Sequence, residues 1–249
     1  MSQTHYKVDV ENQNVDDIVN DILKELPKEE LMEVNLPSQA TTLYGLQSPV
    51  IHIRAMTFED EKLMLNKKKN SMNALLSRCI EEDLNPRDLL IQDKIAILFH
   101  LRAISVGPEY EVEITCSECD AKTKTSVDVL NSFPTVYADP PIEAKVTITL
   151  PILKKEAVVR RISSAEMEEK GEKIYDELWR YVLEIAGNNN AKVRAEVLRK
   201  LPRSDIHAIV EAMTVPNIGI DQKFIFVCPK CDSEQLRELK LDSDFFSMN

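Results

Sequence analysis

Glycine is scarce in this chain: 5 of 249 residues, about 2% against a usual ~7%. The five are Gly45, Gly107, Gly171, Gly187 and Gly219, and no two lie within 15 positions of each other. That spacing excludes a Walker-type phosphate loop and a Rossmann GxGxxG, which need clustered glycines for close backbone approach to phosphate. It also argues against a turn-rich β-sandwich, which needs many positions tolerant of positive φ. Long apolar runs are missing too. No stretch reaches 18 apolar residues, so no membrane span is expected. The opening Met1-Ser2-Gln3-Thr4-His5-Tyr6 lacks a basic region followed by an apolar core and does not read as a secretory signal. Histidine is limited to His5, His52, His100 and His207. None falls in HExxH or beside a cysteine pair, and GxSxG and a deaminase-type HxE are absent. The sequence therefore predicts no enzyme, and His100 reads as a structural histidine.

What is present begins with charge. The chain carries 31 Lys and Arg against 42 Asp and Glu, a net of −11. Such a chain repels nucleic acid unless its basic residues segregate on one face. Lys154, Lys155, Arg160 and Arg161 are the nearest to such a cluster. They keep a nucleic-acid-binding regulator as the alternative reading, although no nucleic acid is expected. Glu59/Asp60 and Glu168/Glu169 read as solvated, ion-paired helix faces rather than acid/base dyads. At 43% hydrophobic, the chain can build a sizeable core in one or two domains.

The sharpest local signal comes from cysteine. Four of five cysteines form two Cys-x-x-Cys pairs, Cys116/Cys119 and Cys228/Cys231. Alternating runs flank each pair: Glu111–Thr115 and Lys122–Val127 around the first, Lys223–Val227 and Leu236–Leu241 around the second. Both read as strand, knuckle, strand. Two thiolates in a tight turn chelate one ion, and two such turns complete a tetrahedral four-sulfur shell, the structural zinc arrangement. Zn2+ with Cys116, Cys119, Cys228 and Cys231 is thus the predicted metal site. Disulfides are uncommon in the cytosol, where this chain is expected to reside. A thioredoxin-like pair opens a helix, whereas strand-like residues follow both pairs here. A catalytic zinc keeps one position open; four cysteines close it. The fifth, Cys79, reads as a small buried apolar residue. Between Cys119 and Cys228 lie 108 residues, so the site ties distant segments together and its metal would contribute directly to folding.

The expected fold is α+β, with helices around a split four-cysteine zinc ribbon and extra short strands. Residues 1–30 form an acidic arm of net −5. It carries a short amphipathic helix over Val15–Leu26, marked by 3-4 apolar spacing, and is otherwise expected to be mobile. Residues 31–249 form one composite domain, with the two hairpins at 108–130 and 222–242 and a helical insertion at 163–214. A strand is expected over 49–54. A helix capped by Thr57 and Asp60 is expected to run to about Ile80 with Lys67-Lys68-Lys69 exposed. Another helix starts at Asn85-Pro86 and ends near Gly107-Pro108. Strands follow over 146–150 and 157–162. A helix opens at the Ser163/Glu166 capping box and runs to about Ile185, and helices over 191–201 and 203–213 come next.

The order of these features resembles a known family. Leu36-Pro37-Ser38 with Tyr44, then Ile51-His52-Ile53-Arg54-Ala55-Met56-Thr57 with Glu59-Asp60-Glu61 and Leu63, form the opening. Asp93, Leu98, Arg102, Ser105, Gly107 and Tyr110 lead into the first cysteine pair, and Pro216–Asp221 into the second, before a closing Phe245-Phe246. Over residues 34–247 this is similar to the T4-like bacteriophage baseplate hub assembly proteins. One departure is Gln39-Ala40, where the resemblance calls for a glycine after Leu-Pro-Ser. The resemblance implies a non-enzymatic assembly factor, or a minor component, of the central hub of a contractile tail. Its partners would be baseplate hub proteins and the tape-measure protein. Its location would be the host cytoplasm during assembly, or the virion tail baseplate.

Overall fold

A computed structural model of the chain describes residues 15–24, 30–65, 71–241 and 243–246. The chain divides into two units, Met1–Glu30 and Leu31–Asn249. In the first, α1 (Val15–Leu23) is the helix that the 3-4 spacing predicts. Ile18, Val19, Ile22 and Leu23 are all exposed on it. The rest of the arm, for which mobility is expected, lies outside the described residues.

The second unit opens with β1 (Met32–Asn35), the single turn α2 (Thr41–Tyr44) and β2 (Val50–Ile53). β1 pairs antiparallel with β2, placing Val34 opposite Ile51. Helices α3 (Phe58–Leu65) and α4 (Ser71–Cys79) follow. The sequence predicts one continuous helix here, and the structure corrects that. Arg78 Nη1 lies 3.1 Å from Asp60 Oδ1, whereas a straight helix would separate residues so far apart by roughly 27 Å at 1.5 Å per residue. α3 and α4 are therefore two separate helices that lie side by side; Lys67, Lys68 and Lys69, expected to be exposed, lie outside the described residues.

Helix α5 (Ile91–Ser105) starts later than the Asn85-Pro86 signal suggests. The Asn85 side chain accepts the Arg87 N–H (3.2 Å) and its carbonyl accepts the Asp88 N–H (2.9 Å). This closed turn uses Pro86 to enter a loop instead of a helix. Next come β3 (Glu109–Thr115), β4 (Lys122–Asp128), β5 (Thr135–Val136), β6 (Lys145–Thr149) and β7 (Glu156–Arg160). α6 (Ser164–Lys170) begins at a complete Ser163/Glu166 capping box, as expected.

The expected continuation of α6 to Ile185 is overturned. Gly171 ends it at φ 48°, two short 3-10 turns follow at Gly171–Ile174 and Leu178–Arg180, and β8 (Val182–Ile185) is a strand. β8 pairs with β7, completing a β6-β7-β8 sheet, so the 163–214 segment is not purely helical. Burial drives this: Tyr181, Val182 and Ile185 join Val159, Ile209 and Met213 in one core cluster. The chain ends through α7 (Ala191–Leu198), α8 (Arg203–Thr214), β9 (Gly219–Ile220), β10 (Lys223–Val227) and β11 (Glu234–Glu238).

The sheets are small and antiparallel: β1-β2, β3-β4, β5-β9, β6-β7-β8 and β10-β11. The fold is thus mixed helix and strand, as expected. Its largest core cluster joins Val34, Ile51, Leu76, Phe99 and Leu101 to Phe245 and Phe246. Cys79 is fully buried within it.

Candidate metal centre

β3-β4 and β10-β11 are built to the same plan. In the first, the Cys116 N–H donates to Ala121 O (2.9 Å) and the Asp120 N–H to Cys116 O (3.1 Å). In the second, the Cys228 N–H donates to Ser233 O (3.0 Å) and the Asp232 N–H to Cys228 O (2.8 Å). Asp120 and Asp232 each take a φ of 56°. This left-handed region favours glycine, and Asp tolerates it better than most residues. The glycine-poor chain thus closes both knuckles with aspartate.

The inward side chains also correspond. Ile114 and Phe226, each two residues before the first cysteine of its pair, pack with Cys116 and Cys228 in a small core of their own, flanked by Val112 and Phe224. This packing turns the two cysteine pairs toward each other. The four Sγ atoms lie within 4.8 Å of one another. Cys116–Cys231 and Cys119–Cys228 are both 3.7 Å apart. A tetrahedron with metal–sulfur bonds of 2.3 Å has sulfur–sulfur edges of about 3.8 Å. The four-cysteine set named by the sequence is therefore brought together at metal-binding spacing.

Gln235 and Ser233 surround this cluster and were not identified from the sequence. Gln235 Nε2 donates to Cys116 Sγ (2.9 Å) and to Ser233 Oγ (2.7 Å), and its Oε1 accepts the Ser117 N–H (3.3 Å). The signal for Gln235 is its place four residues beyond Cys231, on the returning strand. Burial raises the Cys116 thiol pKa, but the N–H groups of Glu118 and Cys119 and the Gln235 amide outweigh it and hold the pKa down to about 6. The Ala121 N–H lowers the Cys119 pKa, yet burial and the thiols of Cys231, Cys116 and Cys228 push it up to about 12. Like charges this close oppose full deprotonation unless a cation sits among them.

The residues carrying the family resemblance lie elsewhere and hold the scaffold together. Asp93 is fully buried and accepts the Ser38 N–H (2.8 Å), the Ser38 hydroxyl (2.6 Å) and the Tyr44 hydroxyl (2.6 Å). In the Gln39-Ala40 stretch, where the resemblance calls for a glycine, Gln39 takes a φ of 55°. Its amide donates to Asn35 Oδ1 and Leu36 O, both at 2.7 Å. Arg102 donates to Gly107 O (3.3 Å) and Glu109 O (2.9 Å), and its guanidinium lies over the rings of Tyr110 and Phe245.

Of the acidic pairs, Glu59, Glu168 and Glu169 are exposed and ion-paired, as expected, and Asp60 is the exception. Asp60 is buried, not solvated, and binds Arg54 Nη1 (2.7 Å) as well as Arg78. Glu168 and Glu169 pair with Lys94 and Arg87 from outside their own helix. In the basic cluster, Arg160 is paired with Glu166 and Arg161 donates to Ala212 O. His100 Nδ1 sits 2.8 Å from Ala96 O; burial lowers its pKa.

No helix among the described residues is long and apolar enough to cross a membrane. No curated protein and no solved structure matches the chain. A family model described as T4 bacteriophage base plate protein matches residues 31–247. That span holds both knuckles and the Ser38–Asp93, Arg54–Asp60 and Arg102 networks, so the chain belongs to the T4 bacteriophage base plate protein family, with a structural or assembly role among phage baseplate proteins.

Proposed function

We propose that the chain is a non-enzymatic assembly factor, or a minor component, of the central hub of a contractile-tail baseplate, and that it carries one structural zinc. The match to the base plate family over residues 31–247 carries this reading. The expected partners are the hub proteins and the tape-measure protein, met in the host cytoplasm during assembly. A non-enzymatic role is supported by how the ionisable groups are used: Asp60, Asp93, Arg102 and Arg160 serve as internal partners of the fold.

Zinc is supported by the donor set. Four soft sulfur ligands at tetrahedral edge spacing suit Zn2+, and a shell filled by four cysteines leaves no position for a substrate. When bound, the ion supplies cohesion between the two hairpins, while Gln235 and the knuckle N–H groups stabilise the thiolates.

Deleting the gene from its phage and supplying the full chain in trans tests the role. Loss of hub-complete baseplates, restored by the chain, together with co-purification of hub or tape-measure proteins, is the expected result. No association with any of them, with normal baseplates in the deletion phage, overturns it. Counting copies of the chain in purified virions separates an assembly factor, absent from the particle, from a component.

A further inference from the structure

The two knuckle hairpins match inside but not outside. On the outer face of the first, Glu113 stands opposite Lys124 and Thr115 opposite Lys122. At the corresponding positions of the second stand Ile225 opposite Leu236 and Val227 opposite Glu234. Counted from its own cysteine pair, each apolar residue replaces a charged or hydroxyl one. These side chains are exposed, Ile225 by 68%, Leu236 by 66% and Val227 by 52%. The first hairpin shows that this construction folds without outward apolar residues, so their presence on the second has no local cause.

The strand edge adds a second observation. The Cys228 N–H to Ser233 O bond (3.0 Å) and the Leu239 N–H to Gln222 O bond (2.9 Å) fix the ladder at its two ends. Antiparallel alternation then turns the main-chain groups of Ile225 and Val227 away from β11. β11 is the one sheet neighbour of β10 among the described residues. That open edge faces a groove of about 730 Å³ between β10 and β4, lined by Ile225, Val227 and Leu236 on one side and Thr125 and Ser126 on the other.

We propose that the open edge and apolar outer face of β10-β11 dock an extended segment of another baseplate protein, apolar at alternate residues. Strand addition supplies main-chain hydrogen bonds, and alternate side chains read the surface. A second copy of this chain is the weaker occupant: three side chains fall far short of the roughly 800 Å² per partner that a stable dimer buries. An extended segment needs less area because backbone pairing contributes. The choice of partner class rests on the baseplate role proposed above.

The test compares the full chain with its Ile225→Glu/Leu236→Lys variant. The variant places the first hairpin's outward chemistry on the second, so melting temperature and metal content are expected to match the parent. Both proteins are titrated with overlapping peptides covering the phage's baseplate and tape-measure proteins. The expected result is a peptide with alternating apolar residues that loses roughly tenfold or more in affinity for the variant. N-methylation of the peptide at alternate nitrogens should weaken binding, and methylation at the intervening ones should not. Equal binding to both proteins, or no binding peptide at all, overturns the proposal. So does self-association of the parent that the variant abolishes, which makes the occupant a second copy. In the deletion phage, full rescue by the variant defeats this proposal alone, whereas normal baseplates together with no hub or tape-measure protein associating with the chain defeat the proposed function instead.

Discussion

The Tyr44 hydroxyl donates to Asp93 at 2.6 Å while accepting the Leu90 N–H at 2.9 Å. One phenol thus joins a single-turn helix to the start of α5 and satisfies two groups that have few other partners. Tyr44→Phe leaves the Leu90 N–H and one Asp93 lone pair unmatched in the interior. A loss of about 1.5–3 kcal/mol is expected, measured by denaturant unfolding. A smaller loss than Tyr137→Phe, at an exposed site, would refute this role.

Metal content forms the second prediction. One zinc per chain is expected by elemental analysis of protein purified without added metal. Cys116→Ser and Cys228→Ser should each abolish it and remove a large share of the ~5–15 kcal/mol typical of a folded domain. Cys79→Ser should leave the zinc in place. A fully stable, metal-free parent would show that the cluster is held by packing alone.

Backbone geometry at the knuckles gives a third. Asp232→Gly should be neutral or slightly stabilising, because glycine enters the left-handed region without steric cost. Asp232→Val should cost about 1–2 kcal/mol. The same pair of changes at Asp120 should behave alike, and thermal melts that rank the valine variants with the glycine ones would contradict the equivalence of the two turns.

The fourth concerns acid. Burial pushes the Asp60 carboxyl up, but the Arg54 guanidinium and the Thr57 N–H and hydroxyl outweigh it and lower the pKa from 3.8 to about 2. A folded pKa below the unfolded one gives stability that is complete above the unfolded value and lost as pH falls from about 4 to about 2. The amount is about 2 kcal/mol. Asp93 is shifted the other way, upward by burial despite its Ser38 and Tyr44 partners, so its contribution has the opposite sign. Comparing the parent with Asp60→Asn isolates Asp60: the variant should lack this acid-dependent loss, and parallel pH profiles would remove the claim.

The cysteine cluster was legible in the sequence because a knuckle is local. Spacing, flanking alternation and turn residues all lie within a dozen positions of each pair. Capping at Thr57 and Ser163 was similarly local. The errors arose where distant partners decide. Asp60 sits in an acidic run that resembles a solvated face, yet Arg54 and Arg78 bury it. Residues 171–185 carry apolar spacing compatible with a helix, but Tyr181, Val182 and Ile185 are needed at the edge of β7. β1 is only four residues long, and its alternation gains meaning from β2 alone. Gln235 reaches Cys116 because the two hairpins pack against each other, which no single stretch encodes.

Phe245 bears on how the protein is made. It is fully buried, 5.5 Å from the Phe99 ring and 5.3 Å from the Tyr110 ring, inside the cluster that begins at Val34. A chain still emerging from the ribosome has therefore synthesised most of that cluster long before the residue that closes it. Until Phe245 is released, a nascent chain presents an open apolar surface where that ring belongs, so the cluster that begins at Val34 cannot close before Phe245 has been made.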